Sequence, residues 1–181
     1  MGTCDGLIHL RRAAESDARA IAEVHVDTWR RAYRGLVAQE VLDSLNVDSR
    51  EQFWQRALAA MPADRRPWLA EADAQVVGFV SAGAAEDDDP TQTTGQVYAI
   101  YVNADCWDRG VGRNLLGHAE RDLRGSGYVD ATLWVLAANE RARRFYEAAG
   151  WRTDGSEQTE TLSGAELREV RYRKTLDRPT I

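Results

Sequence analysis

Two glycines with one residue between them, Gly110 and Gly112, separate a strand-like run at 97–102 from a helix-like run at about 110–124. No other junction restricts the fold of this chain so tightly. The first run is rich in β-branched and aromatic residues; the second is amphipathic and ends at Gly125 and Gly127. Glycine lets the backbone turn sharply and approach a bound group closely. The first amides of the following helix have no intrahelical acceptors and point outward at the positive end of its dipole. A second strand-then-helix pair comes next, with a strand at 132–136 and a helix at 139–149 closed by Gly150. Strands that feed helices in this way require a sheet with helices on its faces.

The flanking segments extend the pattern. A short strand is expected at 7–13. A helix follows, capped by Ser16, carrying Ile21, Val24, Thr28, Trp29, Ala32 and Tyr33 at a helical period, and ended by Gly35. A second helix at about 49–60 turns Phe53, Trp54, Ala57 and Leu58 inward and stops at Pro62. Strands at 68–71 and 76–82 join at Asp73-Ala74. The acidic segment 86–94 contains no apolar side chain and reads as a solvated loop, with attraction of a cationic ligand as its functional alternative. Residues 151–176 read as two antiparallel strands about a turn at Ser163-Gly164, and the last five should fray. The expected class is α/β (α+β), a mixed sheet flanked by helices. A single domain over 1–181 is expected, with an ordered core at about 7–176.

Composition narrows the chemistry. With 181 residues, 44% of them apolar and 29% charged, the chain can build a core without metal or disulfides. A formal charge of -6 argues against nucleic acid as the partner and suits a cationic one. Cys4 and Cys106 form neither a CxxC pair nor a His/Cys cluster, so no metal site is expected, and reduced thiols in a cytoplasm are. No run is apolar enough to span a membrane. Lys174 is the only lysine, which removes Schiff-base and P-loop chemistry. A dinucleotide fingerprint fails because Leu115 stands where its third glycine belongs.

What remains is the stretch Trp107-Asp108-Arg109-Gly110-Val111-Gly112-Arg113. A diphosphate fits the start of such a helix, and Arg109 or Arg113 can add charge-assisted bonds. Paired with Asn139-x-x-Ala142-x-x-Phe145-Tyr146, this stretch resembles the GNAT superfamily of N-acetyltransferases. The likeness covers most of the chain. It implies a mostly antiparallel central sheet, acetyl-CoA as donor and an amine of a small molecule or peptide as acceptor, with direct attack in a ternary complex.

The resemblance also implies roles. Gly110, Val111 and Gly112, with Arg109 and Arg113, would cradle the pyrophosphate; Ile100 and Val102 would offer backbone groups to the pantetheine arm; Asn139 would bond the cofactor, cap a helix, or do both. Tyr146 is the implied general acid, its alternative being a core tyrosine beside Phe145. Trp29 and Tyr33, with Trp54 and Tyr172, are candidates for the acceptor pocket, although core positions suit most of them better. His25 reads as a structural histidine. The sequence departs from the family at Trp107 and Asp108, and at Gln96, where relatives commonly place a glutamate; glutamine cannot act as a base, so the proton acceptor is not visible in the motif. The alternative reading is a non-catalytic acetyl-CoA-binding sensor of the same fold, and a homodimer is the candidate assembly.

Overall fold

The computed structural model describes residues 7–87, 91–162 and 165–176. Seven strands form one sheet: β1 (His9–Arg12), β2 (Trp68–Ala72), β3 (Gln75–Ala84), β4 (Thr94–Val102), β5 (Asp130–Leu136), β6 (Arg152–Leu162) and β7 (Ala165–Thr175). Their order is β1-β2-β3-β4-β5-β7-β6. Every neighbouring pair is antiparallel except β4 and β5, which run parallel. The sheet is therefore mixed and mostly antiparallel, as expected.

Five helices accompany it: α1 (Ala18–Ala32), α2 (Gln39–Ser44), α3 (Val47–Ala60), α4 (Val111–Gly125) and α5 (Glu140–Ala148). Successive strand residues point to opposite faces, which sorts the core into layers. On one face Ile21, Ala22 and Val24 of α1 and Trp54 and Leu58 of α3 pack against Leu69 and Phe79. On the other, Leu115, Leu116, Ala119 and Leu123 of α4 pack against Val80, Val97, Val102, Leu133 and Val135. Each fully buried leucine in these layers contributes about 1.5–3 kcal/mol of burial.

Several local expectations shift. Ser16 does not cap α1: it lies inside a 3-10 turn, Glu15–Asp17, and Asp17 holds the cap position. Helix α2 was not foreseen; its Val41 and Leu42 pack with Val37, Leu136 and Leu167, far along the chain. Helix α3 begins earlier than its pattern suggests, because Asn46 accepts a bond from the Ser49 amide at 3.0 Å. Phe53 is 47% exposed instead of inward. Thr94 is not loop but the first residue of β4. The turn at Ser163-Gly164 and the last five residues lie outside the described residues.

β4 and β5 are paired only over Thr94–Asp130, Gly95–Ala131 and Gln96–Thr132. Beyond Gln96 the two strands diverge, although β4 runs on to Val102 and β5 to Leu136. A register shift against Ser81 and Ala82 makes Tyr98 an extra residue on β4. A bulge bends and twists the strand that carries it, and here it turns β4 away from β5. The Tyr98 phenol donates to the Ala84 carbonyl at 2.6 Å, crossing Gly83, where a Cβ would stand 2.6 Å from that oxygen.

Candidate active site

The divergence opens a cleft of about 1420 Å³ through the sheet. That exceeds the usual pocket for one small ligand, so the space suits a long ligand together with a second one. Asn103 donates its amide to Val77 on β3 at 2.8 Å. By the alternation of an antiparallel ladder, Tyr101 and Ala99 also bond β3, and the peptide groups of Ile100 and Val102 face the gap. The Val102 carbonyl is taken by the indole N–H of Trp107 at 2.7 Å. The Ile100 peptide groups and the Val102 amide are left directed at the cleft. The Val102 side chain belongs to the core and that of Ile100, partly buried, packs against it.

At the mouth of the cleft the chain turns from β4 into α4. Gly110 is the N-cap of α4 with φ at 79°, a left-handed conformation that glycine adopts without strain. A Cβ there would touch nothing within 4 Å, so conformation and not space requires the glycine. At Gly112 a Cβ would make ordinary contact with Phe145 at 3.5 Å, so packing does not explain the glycine there. No side chain caps α4 and its first turn holds no acidic residue. The first intrahelical bond runs from the Asn114 amide to Gly110, leaving the amides of Val111, Gly112 and Arg113 for an outside acceptor. Arg113 is exposed on this turn and lines the cleft; Arg109 is exposed but does not line it.

Asp108, the unexpected acid in this turn, is neutralised from another element. Arg141 of α5 donates to both of its carboxylate oxygens at 3.0 Å, and the same guanidinium lies 4.2 Å from the centre of the Trp107 ring. The two departures from the family pattern, Trp107 and Asp108, are thus the two halves of one Arg141 seat.

Helix α5 brings two further groups. Asn139 is its N-cap, buried, its Oδ1 accepting from the Ala142 amide at 3.1 Å. Tyr146, nearly two turns on, is only 7% exposed, its ring set among Phe145, Tyr172 and Trp151. Its hydroxyl makes no hydrogen bond among the described residues and borders the cleft. Burial, and then the nearby Tyr101, push its phenol well above the ordinary tyrosine value, so the proton stays on oxygen at neutral pH.

The cleft is also lined by Trp29 of α1 and by Tyr33, which caps the end of that helix; they meet edge to face at 4.6 Å and both are half-buried. Burial raises the Tyr33 phenol as well. His25 lies tilted against Tyr101 with ring centres 4.8 Å apart; burial first, then Arg50, push its imidazole down to about 3. It is neutral and a poor base, in line with a structural histidine. Trp54 belongs to the core and also borders the cleft. Tyr172 does not line the cleft: it is fully buried, donating to Glu147 at 2.7 Å and accepting from Arg143 at 3.2 Å.

The model of the acetyltransferase (GNAT) family matches residues 18–151. The chain belongs to that family. Along the sequence, this acetyltransferase is 30% identical over 166 residues to YuaI of Bacillus subtilis (strain 168), named an uncharacterized N-acetyltransferase, with 91% of each chain covered. It is 22% identical over 156 residues to the spermidine N(1)-acetyltransferase of Thermoplasma acidophilum, covering 83% of this chain and 93% of that one. Among solved structures, the PaiA N-acetyltransferase of Thermoplasma acidophilum in complex with coenzyme A superposes with a TM-score of 0.67 at 18% identity, covering 93% and 99% of the two chains.

The acetyltransferase also holds features that its sequence did not reveal. Gln96 accepts from the Glu86 amide at 2.8 Å and so anchors the acidic segment. Asp87 of that segment is not solvated: its side chain is 6% exposed, bonded by Thr132 at 2.9 Å and the Trp134 indole at 2.6 Å, and paired with Arg171 at 3.4 Å. Cys106, beneath the turn, is buried and is not a free thiol, contrary to the expectation of reduced cysteines; Cys4 lies outside the described residues. Glu169 and Arg50 border the cleft on the side of Trp29 and Tyr33, and neither stands in any motif.

Proposed function

We propose that this chain transfers the acetyl group of acetyl-CoA to a primary amine by direct attack, with donor and acceptor held together in the cleft. The reading rests above all on one juxtaposition: a phenol that keeps its proton, Tyr146, borders the same gap as the uncapped start of α4. The uncapped amides of 111–113 with Arg113 suit a diphosphate. The peptide groups of Ile100 and the amide of Val102 suit the amides of a pantetheine arm laid along β4, in place of the β5 partner that diverges. Arg109 would contribute only through the field at the mouth. The bound donor supplies a thioester whose carbonyl accepts the amine. Tyr146 then gives its proton to the sulfur that departs, and Asn139 fixes the start of α5 so that the phenol is presented to the gap.

Activity is measured as CoA release against a panel of amines. Parent protein should be stabilised by acetyl-CoA by about 2.7 kcal/mol at a hundredfold excess over Kd. Gly110→Asp should largely abolish that shift, since it places strain and negative charge at the mouth; an equal shift in variant and parent would move the donor elsewhere. Tyr146→Phe should lower kcat by about 10²-fold with donor affinity nearly unchanged. A merely structural tyrosine would leave kcat intact, because phenylalanine fills the same volume. Donor binding without turnover on any amine would make the chain a sensor of the same fold.

A further inference from the structure

Five arginines line the cleft among the described residues: Arg31, Arg50, Arg113, Arg141 and Arg144. Arg31 is paired with Asp27 and Asp105, Arg141 with Asp108 and Arg144 with Glu140. Arg113 stands at the start of α4. Arg50 alone faces the opposite end, half-buried on α3, with no ion pair or side-chain hydrogen bond to any described residue; its guanidinium lies 5.6 Å from the Phe53 ring centre. This also accounts for the outward Phe53, which forms one wall beside that cation.

The same end of the cleft carries an anion. Glu169 of β7 is half-buried, opposite Leu136 on β5, and one carboxylate oxygen accepts from Gln158 at 2.7 Å. The charged and titratable groups around it are Glu160 of β6, Tyr33 at the end of α1, Tyr101 of β4 and Arg171 two residues along β7, the last engaged by Asp154. Arg50 and Glu169 both act on the Tyr101 phenol, with opposite sign, so the two charges lie within electrostatic reach of one ring. The same cleft is bordered by polar atoms without a hydrogen-bond partner among the described residues: His25 Nδ1 and Thr28 Oγ1, in residues 8% and 5% exposed. Buried polar atoms are ordinarily satisfied, and a ligand in the cleft would satisfy these.

We propose that the acceptor is a primary amine that also bears a carboxylate, its acid group held by Arg50 and its ammonium by Glu169. This rests on the acetyl transfer proposed above. A half-buried guanidinium without an ion pair favours an anionic group on the ligand, and it would repel a polycation such as a polyamine. Glu169 takes the ammonium proton; the freed amine forms the new N–C bond to the acetyl carbon while the C–S bond breaks, and the sulfur receives the Tyr146 proton. Burial holds the Glu169 carboxyl above its usual range and Glu160 adds to this, while the Gln158 bond opposes both, which suits a proton acceptor.

The test uses the full chain with acetyl-CoA, and compares α-amino acids, the same compounds lacking the carboxylate, and spermidine. Acid-bearing amines should be preferred at least about 10²-fold in kcat/KM. Arg50→Met should raise KM for them about 10–100-fold with kcat nearly kept, leave the decarboxylated amines unchanged, and be partly rescued by Arg50→Lys. Glu169→Gln should lower kcat and remove the acidic limb of its pH profile. All three variants should keep the thermal shift given by acetyl-CoA, which separates this inference from donor binding. Preference for spermidine, or an equal effect of Arg50→Met on every amine, would overturn it. Failure of every acid-bearing amine to react or to quench tryptophan fluorescence would do so too. Loss of the acetyl-CoA shift in the parent would instead count against the function itself.

Discussion

His25 illustrates how one residue can be chemically suggestive and yet be fixed by its surroundings. A histidine beside the acceptor end of a transferase cleft invites the role of base, but an imidazole pushed down to about 3 is neutral throughout the working range. The consequence is for stability. The unfolded chain binds a proton on this residue below its ordinary value near 6.5, and the folded chain does not until about 3. Stability contributed by the neutral buried ring is therefore present above about 6.5 and lost as pH falls toward 3, with a slope of about 1.4 kcal/mol per pH unit. Urea unfolding of the parent and His25→Gln at pH 7, 5 and 4 should show the parent losing stability more steeply. Parallel curves would mean that His25 is protonated in the folded state. Tyr146 is shaped by the same force in the opposite direction, since burial keeps a phenol protonated where it keeps an imidazole neutral.

At the scale of elements, the first turn of α5 and the turn before α4 act as one unit. Arg141 crosses from one to the other, pairing with Asp108 and covering Trp107. The pair is largely exposed, so its contribution to stability is at most about 1 kcal/mol. Its larger effect is on charge: without Arg141, Asp108 would face a diphosphate unopposed. Arg141→Ala should leave the melting temperature within about 3 °C of the parent and weaken acetyl-CoA binding by about 5–10-fold in calorimetry. Adding Asp108→Asn should restore most of that affinity. Equal affinity in the single and double variants would show that Asp108 does not see the donor.

Across the whole molecule, the segment after β3 is tied to the far half of the sheet by Asp87. Its carboxylate accepts from Thr132 and Trp134 on β5 and pairs with Arg171 on β7, which Asp154 also holds. Bond and pair together brace β5 and β7 just where β4 has left them. Asp87→Ala would strand the buried Thr132 hydroxyl, the half-buried Trp134 indole and one side of Arg171, at a cost of about 2 kcal/mol or more. For a chain of this size that lowers the melting temperature by about 4–8 °C. A change under about 1 °C would mean that solvent replaces the carboxylate freely.

What the sequence determined by itself was local. Periodicity placed α1, α3, α4 and α5 and all seven strands within a few residues, because helix and strand patterns depend on neighbours in the chain. Asn139 as a cap, Gly110 as part of a tight turn and the position of Tyr146 on α5 were legible for the same reason. Short α2 escaped because packing against Leu136 and Leu167, and not its own pattern, holds it in place. Asp108 and Arg141 are 33 residues apart, and Asp87 and Trp134 are 47 apart, so no spacing rule could join them. The burial of Tyr172, the exposure of Phe53 and the placing of Glu169 and Arg50 in one cleft likewise follow from how the layers stack. The cleft itself is the clearest case: two strands read correctly as strands, yet only the bulge at Tyr98 and the short parallel pairing decide that they part.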